Sequence, residues 1–312
     1  MDIIRDFEFV EPEHRGAAAA IGNFDGVHLG HQAVISLARD VAEAEGWPLG
    51  VVTFEPHPRR FFQPDAPPFR LMNAAARAHR LARLGVAKLY ELPFNHHLAG
   101  LGPDAFVDDV LHRALGLRHV VVGADFRFGK GRAGDAAFLE ARCARHGIGV
   151  TVAPLLTLPE GEISSTAIRK ALAEGRCEDA RRMLGHWHRI DGVVEPGDQR
   201  GRELGFPTAN IPLGELHRPR FGVYAVLVDV LDGPHAGSHK GVASIGVRPM
   251  FDGDEPNLEV HVFDFAGDLY GHEISVALVR FLRDEARFES VEALVAQMHR
   301  DAAEARAALE GL

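Results

Sequence analysis

Residues 22–31 read GNFDGVHLGH. An apolar run, Ala17–Ile21, precedes them, and Val34, Ile35, Leu37, Ala38, Val41 and Ala42 follow at helical spacing. Such a stripe is the buried face of a helix, so the segment reads strand, glycine loop, helix. His28 and His31 stand where the loop enters the helix, three residues apart and therefore on one face. A helix start offers free backbone N–H groups and the positive end of the helix dipole, both of which attract phosphate. Imidazoles there can donate hydrogen bonds to phosphate oxygens without adding a full charge, which suits chemistry at a nucleotide phosphate. Two other readings of the pair stay open: histidines that cap the helix, and a shared metal for which no nearby acid or cysteine completes the shell.

The same rhythm continues outward. Ala17–Ile21, Leu49–Phe54, Lys88–Leu92, His119–Val122 and Gly149–Ala153 read as strands. Gly30–Glu45, Asn73–Leu84, Pro103–Leu115 and Asp135–His146 read as the helices between them. Alternating strands and helices predict an α/β fold, a doubly wound parallel sheet with helices on both faces. Ligands of such sheets sit beyond the carboxyl ends of the strands, where strand order reverses. The histidine loop, TFEPHP at 53–58 and GADFRFG at 123–129 all follow strands.

Beyond residue 163 the pattern changes. ISSTAIRKALAEG, residues 163–175, starts a helix that Ser164, Ser165 or Thr166 can cap, and a second helix, Cys177–Leu184, stops at Gly185. Six alternating strands with Gly and Pro between them follow: Arg189–Val194, Phe206–Ile211, Gly222–Val230, Lys240–Gly246, Asn257–Phe265 and Glu273–Leu282. They predict a small antiparallel β-barrel, closed by an amphipathic helix over Val291–Leu309. The expected domains are 1–186 and 187–312, a division the 312-residue length accommodates.

Composition narrows the partners. A formal net charge of −10 argues against broad nucleic-acid binding, which needs a basic face. Two cysteines, Cys143 and Cys177, without CxxC spacing argue against a disulfide framework or a cysteine–zinc site. The N-terminus carries acids early and reads as no signal peptide. No stretch reaches the roughly 20 apolar residues of a membrane span. The expectation is a soluble cytoplasmic protein acting on small molecules, its oligomeric state left open.

Five further segments carry chemistry. SSTAIR, residues 164–169, sets three hydroxyls at a helix start and one permanent cation, Arg169, which can neutralise charge growing on a departing pyrophosphate; an ordinary N-cap with a solvated arginine is the plainer alternative. TFEPHPRRFF encloses Pro56 and His57 in a stiff turn, and Phe61 and Phe62 can line a pocket for a flat ring. GADFRFG offers Asp125, Phe126 and Phe128 at a strand end. RGRELGFPTAN, residues 200–210, combines a glycine loop able to approach phosphates with two neutral oxygen ligands, Thr208 and Asn210, suited to a hard cation such as Mg²⁺; a Pro-Thr turn entering a strand explains the tetrapeptide equally. In NLEVHVFDF, Glu259 and His261 face away from Leu258, Val260 and Val262. Glu259 there is either a general base or a residue on a wet strand face.

HLGH followed by ISSTAIR resembles the HxGH nucleotidylyltransferase superfamily, and residues 163–169 match its second signature throughout. The whole chain resembles bifunctional prokaryotic riboflavin kinase/FAD synthetases, through GNFDGVHLGHQ, TFEPHP, VVGADFRFG and ISSTAIR in the first half. In the second half the resemblance rests on GRELGFPTAN, FGVYAV, SIGVRP, EVHVFDF and DLYG. The resemblance implies phosphorylation of riboflavin by ATP in the barrel and adenylylation of FMN to FAD, with release of pyrophosphate, in the first domain. It implies ATP contacts in the adenylyltransferase from Gly22, Asn23, Phe24, His28, His31, Ser164, Ser165, Thr166 and Arg169. Flavin contacts are implied for Pro56, His57, Phe62, Asp125, Phe126 and Phe128. In the kinase it implies ATP contacts from Gly201, Arg202, Gly205, Thr208 and Asn210, Mg²⁺ at Thr208 and Asn210, and Glu259 as base.

Two positions depart from the family pattern: Met250 after Pro249, and Glu195-Pro196 ahead of the flap. Neither is a proposed ligand or base; both bear on how the flap closes. Retention of only one activity, a non-catalytic flavin-binding module and a nucleotidylyltransferase for another acceptor are the competing readings.

Overall fold

The computed structural model describes residues 1–158, 161–197, 204–250 and 253–312. The chain forms two compact units, one of Met1–Pro67 with Ala74–Ile163, the other of Pro68–Asn73 with Ser164–Leu312.

The first unit is built on β1 (Asp2–Ile4), β2 (Ala18–Ile21), β3 (Leu49–Glu55), β4 (Lys88–Pro93), β5 (His119–Gly123) and β6 (Gly149–Ala153), in the order β1-β4-β3-β2-β5-β6. All neighbours are parallel. Strands covered on both faces must be apolar almost throughout, and every residue of β2 is buried. Alternate residues divide between two layers. Ala17, Ala19, Ile21, Val120 and Val122 share one core with Phe106, Val110, Leu111 and Leu139, whereas the helix Leu29–Glu45 packs on β2, β3 and β5 and buries Ile35, Ala38 and Ala42. Sequence order runs from β2 through β3 to β4, then returns to β5 and β6, so it reverses between β2 and β5. The loops after β2 and β5 therefore open at the crevice where doubly wound sheets bind ligands.

Two details differ from expectation. β1, only three residues long, pairs with β4 at the edge; so short a strand has no periodicity to detect. The helix expected over Pro103–Leu115 is a short α-helical turn, Pro103–Ala105, running into a π-helix, Phe106–Ala114.

After a hairpin of β7 (Thr157–Leu158) and β8 (Gly161–Glu162), the second unit begins with helices Ser165–Ala173 and Cys177–Leu184. Ile168, Ala171, Leu172, Ala180 and Leu184 bury themselves around Leu71, which is why Pro68–Asn73 and both helices belong to this unit. The packing division thus falls ahead of His186. The barrel strands are β9 (Arg189–Val193), β10 (Ala209–Pro212), β11 (Gly222–Val230), β12 (Gly237–Met250), β13 (Gly253–Val262) and β14 (Glu273–Arg283). They pair antiparallel in the order β10-β13-β12-β11-β14-β9. A bridge between Glu195, just past β9, and Asn210 of β10 brings the two edges together, with Glu195 N–H donating to the Asn210 carbonyl at 2.9 Å.

Inside the barrel lie Ile211, Tyr224, Val226, Val228, Ile245, Leu258, Val260 and Leu278. Outside, Val223, Ala225, Val242 and Phe263 are covered by Ala305 and Leu309 at the end of the terminal helix, Val291–Ala308. That helix is capped by Ser290, whose hydroxyl accepts from Ala293 N–H at 3.2 Å. It is fixed to β14 by a bidentate Arg283–Asp301 pair at 2.9 and 2.7 Å. No helix among the described residues is long and apolar enough to cross a membrane. Both cysteines are buried free thiols, pushed up to about 12 by burial and therefore unreactive as nucleophiles.

His188, at the entrance to β9, is 4% exposed. Burial, reinforced by His217 and His186, pulls its pKa from 6.5 down to about 3. The folded unit holds it neutral while the unfolded chain protonates it below pH 6.5, so stability falls as pH falls through that window. We expect a loss on the order of 1 kcal/mol per pH unit below about pH 6, read by urea denaturation, and a shallower slope in His188→Gln.

Candidate active sites

In the first unit the histidine loop is set by its backbone. Phe24 and Val27 hold φ of 51° and 42° around Gly26 at 87°. Side chains rarely adopt such φ, and a β-branched valine least of all. Surrounding bonds hold the loop in place: Gln32 Nε2 donates to the Val27 carbonyl at 2.8 Å, and Thr53 Oγ1 donates to the Asn23 carbonyl at 3.2 Å. Phe24 is buried and sets its ring edge-on to His31, 5.2 Å between centroids.

His28 caps the helix Leu29–Glu45, its Nδ1 accepting from His31 N–H at 3.3 Å. The capping reading therefore holds, and it has a chemical consequence. A neutral imidazole that accepts at Nδ1 carries its proton on Nε2 and is a donor there. The His28 and His31 rings stack with centroids 3.5 Å apart, and a Cβ on Gly30 would come within 3.1 Å of the His28 ring, so the glycine makes room for it. Burial, with the neighbouring His28, holds the His31 pKa well below its ordinary value of 6.5. At neutral pH His31 is therefore uncharged.

The other two loops of this unit carry aromatics. Pro56 is exposed, and His57 caps the helix Pro58–Phe62 by accepting from Arg59 N–H at 3.0 Å. Phe62 is 64% exposed and meets Phe61 and Phe94 edge-on at 5.2 and 5.7 Å. Phe94, at the end of β4, is a member of this cluster that its sequence surroundings did not single out. Asp125 is exposed and Phe126 half-buried. Phe128 is buried in the core and supports Phe126 by parallel stacking at 5.4 Å.

Beneath these loops lies a group that sequence reasoning missed. Arg77 is fully buried on the helix Ala74–Arg83 and reaches Glu55 and Glu91, each at 2.9 Å. Its surroundings in the sequence, AAARAHR, are those of a solvated helix face, and only the fold shows it inside.

Ser164, Ser165, Thr166 and Arg169 belong to the second unit. Ser164 is the N-cap, accepting from Ala167 N–H at 3.2 Å. Arg169 Nε donates to the Phe69 carbonyl at 2.6 Å, with its guanidinium carbon 5.5 Å from the Phe69 ring centre. The Arg169 carbonyl lies 2.9 Å from His217 Nε2.

In the barrel, register places Asn210 of β10 directly opposite Glu259 of β13, and Ser244 of β12 on the other side of Glu259. Residues facing each other across adjacent strands share a sheet face, so the amide and the carboxylate sit side by side on the outer face. Asn210 is 6% exposed and accepts at Oδ1 from Asn257 Nδ2 at 2.9 Å. Gly197 lies against it, and a Cβ there would overlap the Asn210 amide. Thr208 is half-buried. His261 Nδ1 lies 2.9 Å from the Pro207 carbonyl, and Phe206 packs edge-on to His299. Gly205 takes φ 81°. Gly201 and Arg202 lie outside the described residues, as does the side chain of Met250. Among the described residues no group of three or more His, Cys, Asp or Glu could hold a metal.

One unit thus has a helix start at the switch point of a doubly wound sheet, and the other a buried amide beside a carboxylate on a barrel strand; the comparisons with known proteins give the class, a transferase enzyme. The FAD synthetase family model matches residues 10–167 and the riboflavin kinase model residues 184–309. The bifunctional riboflavin kinase/FMN adenylyltransferase of Pseudomonas fluorescens is 45% identical over 98% of this chain and 97% of its own. The protein of that name from Bacillus subtilis (strain 168) is 36% identical over 97% and 96%. A crystal structure described as a macrolide-efflux protein from Streptococcus pneumoniae shares the fold, with a TM-score of 0.83, 32% identity and 98% of each chain covered. The chain belongs to the bifunctional riboflavin kinase/FMN adenylyltransferase family, with the FAD synthetase domain first and the flavokinase second.

Because Gly197 leaves space for the Asn210 amide, Gly197→Ala is expected to displace it. Riboflavin phosphorylation should fall at least about tenfold, a cost of roughly 1.4 kcal/mol in transition-state binding, while conversion of supplied FMN to FAD is unchanged. Separate assays of the two steps measure both.

Proposed function

We propose that the two activities use the residues gathered above, divided near His186, and that each site works without the other. In the adenylyltransferase a phosphate oxygen of FMN attacks the α-phosphorus of ATP; one P–O bond forms, one breaks, and pyrophosphate leaves. No protein nucleophile is required, so catalysis is positioning and charge stabilisation. His28 and His31 contact the triphosphate, together with the loop Gly22, Asn23 and Phe24. Ser164, Ser165, Thr166 and Arg169 serve the phosphates and the departing pyrophosphate. Pro56, His57, Phe62, Asp125 and Phe126 face the flavin, and Phe128 backs them. The observation that carries this assignment is the His28 cap: its Nδ1 accepts from His31 N–H and so fixes the ring at the phosphate end of the helix dipole.

In the kinase a riboflavin hydroxyl attacks the γ-phosphorus of ATP, ADP leaves, and Glu259 takes the proton. Thr208 and Asn210 would hold Mg²⁺, which would neutralise charge on the ATP phosphates; their neutral oxygens suit a hard cation that keeps most of its water. The cross-strand pairing of Asn210 with Glu259 supports the roles together, since it sets the cation ligand next to the base. Gly201, Arg202 and Gly205 complete the nucleotide loop. A cytoplasmic location, with ATP at hand, accords with two free buried thiols.

Incubation of the full chain with riboflavin, Mg²⁺ and ATP, followed by chromatography of the flavins, should yield FMN and then FAD; binding without turnover would overturn the catalytic reading. His28→Asn keeps a capping side chain and loses the Nε2 donor. Its melting should stay within about 0.5 kcal/mol of the parent, while FAD formation falls roughly 100-fold and FMN formation is unaffected. Arg169→Ala should act likewise on FAD. Glu259→Ala should stop FMN formation and leave supplied FMN convertible to FAD. A single change that abolished both steps in a folded protein would refute separate sites.

A further inference from the structure

The Arg77 cluster joins parts of the chain that the adenylyltransferase uses for different substrates. Nη2 reaches Oε2 of Glu55 and of Glu91, both at 2.9 Å. Nη1 lies 3.4 Å from the Asn23 carbonyl and 3.5 Å from the Phe54 carbonyl. Glu91 is 4% exposed, and its second oxygen accepts from Arg5 Nε at 3.0 Å. The cluster thus balances two cations against two carboxylates, and Glu91 is its buried anchor.

The guanidinium thus bonds to two loops at once. Asn23 belongs to the histidine loop, where its carbonyl also accepts from Thr53 Oγ1 at 3.2 Å. The next residue, Phe24, sits at φ 51° and sets its ring against His31. Glu55 is the last residue of β3 and stands immediately before the Pro56–His57 turn. A planar fork with fixed N–H directions sets the spacing of what it bonds, which a hydrophobic side chain of similar size cannot do. Burying such a group is a poor way to gain stability, because well-packed apolar residues of that volume serve folding as well or better. The geometry therefore points to alignment.

We propose that Arg77 is a positioning residue of FMN adenylylation, holding the nucleotide loop and the flavin turn at the separation that brings the FMN phosphate to the α-phosphorus of ATP. The inference rests on the assignment of those two loops given above. Arg77 is fully buried and bonds to protein groups of both loops, so its removal acts on alignment and leaves the individual binding contacts in place.

The full chain with Arg77→Lys, Arg77→Met or Thr53→Val tests this, with both activities assayed in each variant. Lysine keeps the charge and the fold but loses the fork. Misalignment of about an ångström costs on the order of 100-fold in rate; Arg77→Met should therefore lose roughly that factor in kcat for FAD formation, and Arg77→Lys about tenfold. KM for ATP and for FMN should move less than about threefold, and Thr53→Val should lower kcat in the same sense. Riboflavin phosphorylation serves as the internal control and stays unchanged. If Arg77→Met does not fold, Arg77→Lys decides. Unchanged kcat in Arg77→Lys, or a loss seen wholly in KM, overturns the proposal while the site assignment stands. Failure of the parent chain to adenylylate FMN would instead remove the assignment on which it rests.

Discussion

The first unit depends on burial of β2 from both sides. A parallel strand at the centre of a sheet has no wet face, and Ala18, Ala19 and Ala20 satisfy that condition with the least bulk. Small side chains let the helix Leu29–Glu45 pack on β2 and its neighbours β3 and β5. That helix starts where strand order reverses, so its open N–H groups and dipole end in the crevice. His28 completes the arrangement with a buried ring that accepts from the backbone of the first turn.

The barrel solves its own edge problem at the place where its chemistry sits. An antiparallel sheet that stops at β9 and β10 would leave two rows of unpaired backbone groups. The Glu195–Asn210 bridge joins them, and the residue that closes the seam with its backbone offers its side chain to the outer face beside Glu259. Asn257 and Gly197 then confine that amide, one by hydrogen bond and one by lacking a Cβ. The same residue closes the seam with its backbone and is confined through its side chain.

Much of this was legible in the chain. The parallel strands announced themselves by apolar runs between helical stripes, and the barrel by period-two alternation between Gly and Pro. HLGH, SSTAIR, PTAN and Glu259 could be singled out because their chemistry is unusual for their place in a strand or at a helix start. Arg77 and Phe94 could not. An arginine in AAARAHR has the local signature of a solvated face, and a phenylalanine after a strand has that of ordinary packing. β1 escaped because three residues carry no period, and the grouping of Pro68–Asn73 with the second unit escaped because it rests on Leu71 meeting a helix about a hundred residues later.

Local sequence thus determined the elements, their type and the residues able to handle phosphate, because periodicity, caps and glycine loops are short-range properties of the backbone. Tertiary structure alone decided that Asn210 stands opposite Glu259 and that one buried guanidinium reaches both Asn23 and Glu55. Each of those depends on groups distant in the chain being brought within 3.5 Å or into register. Such closeness follows only when whole layers have packed and water has been excluded between them.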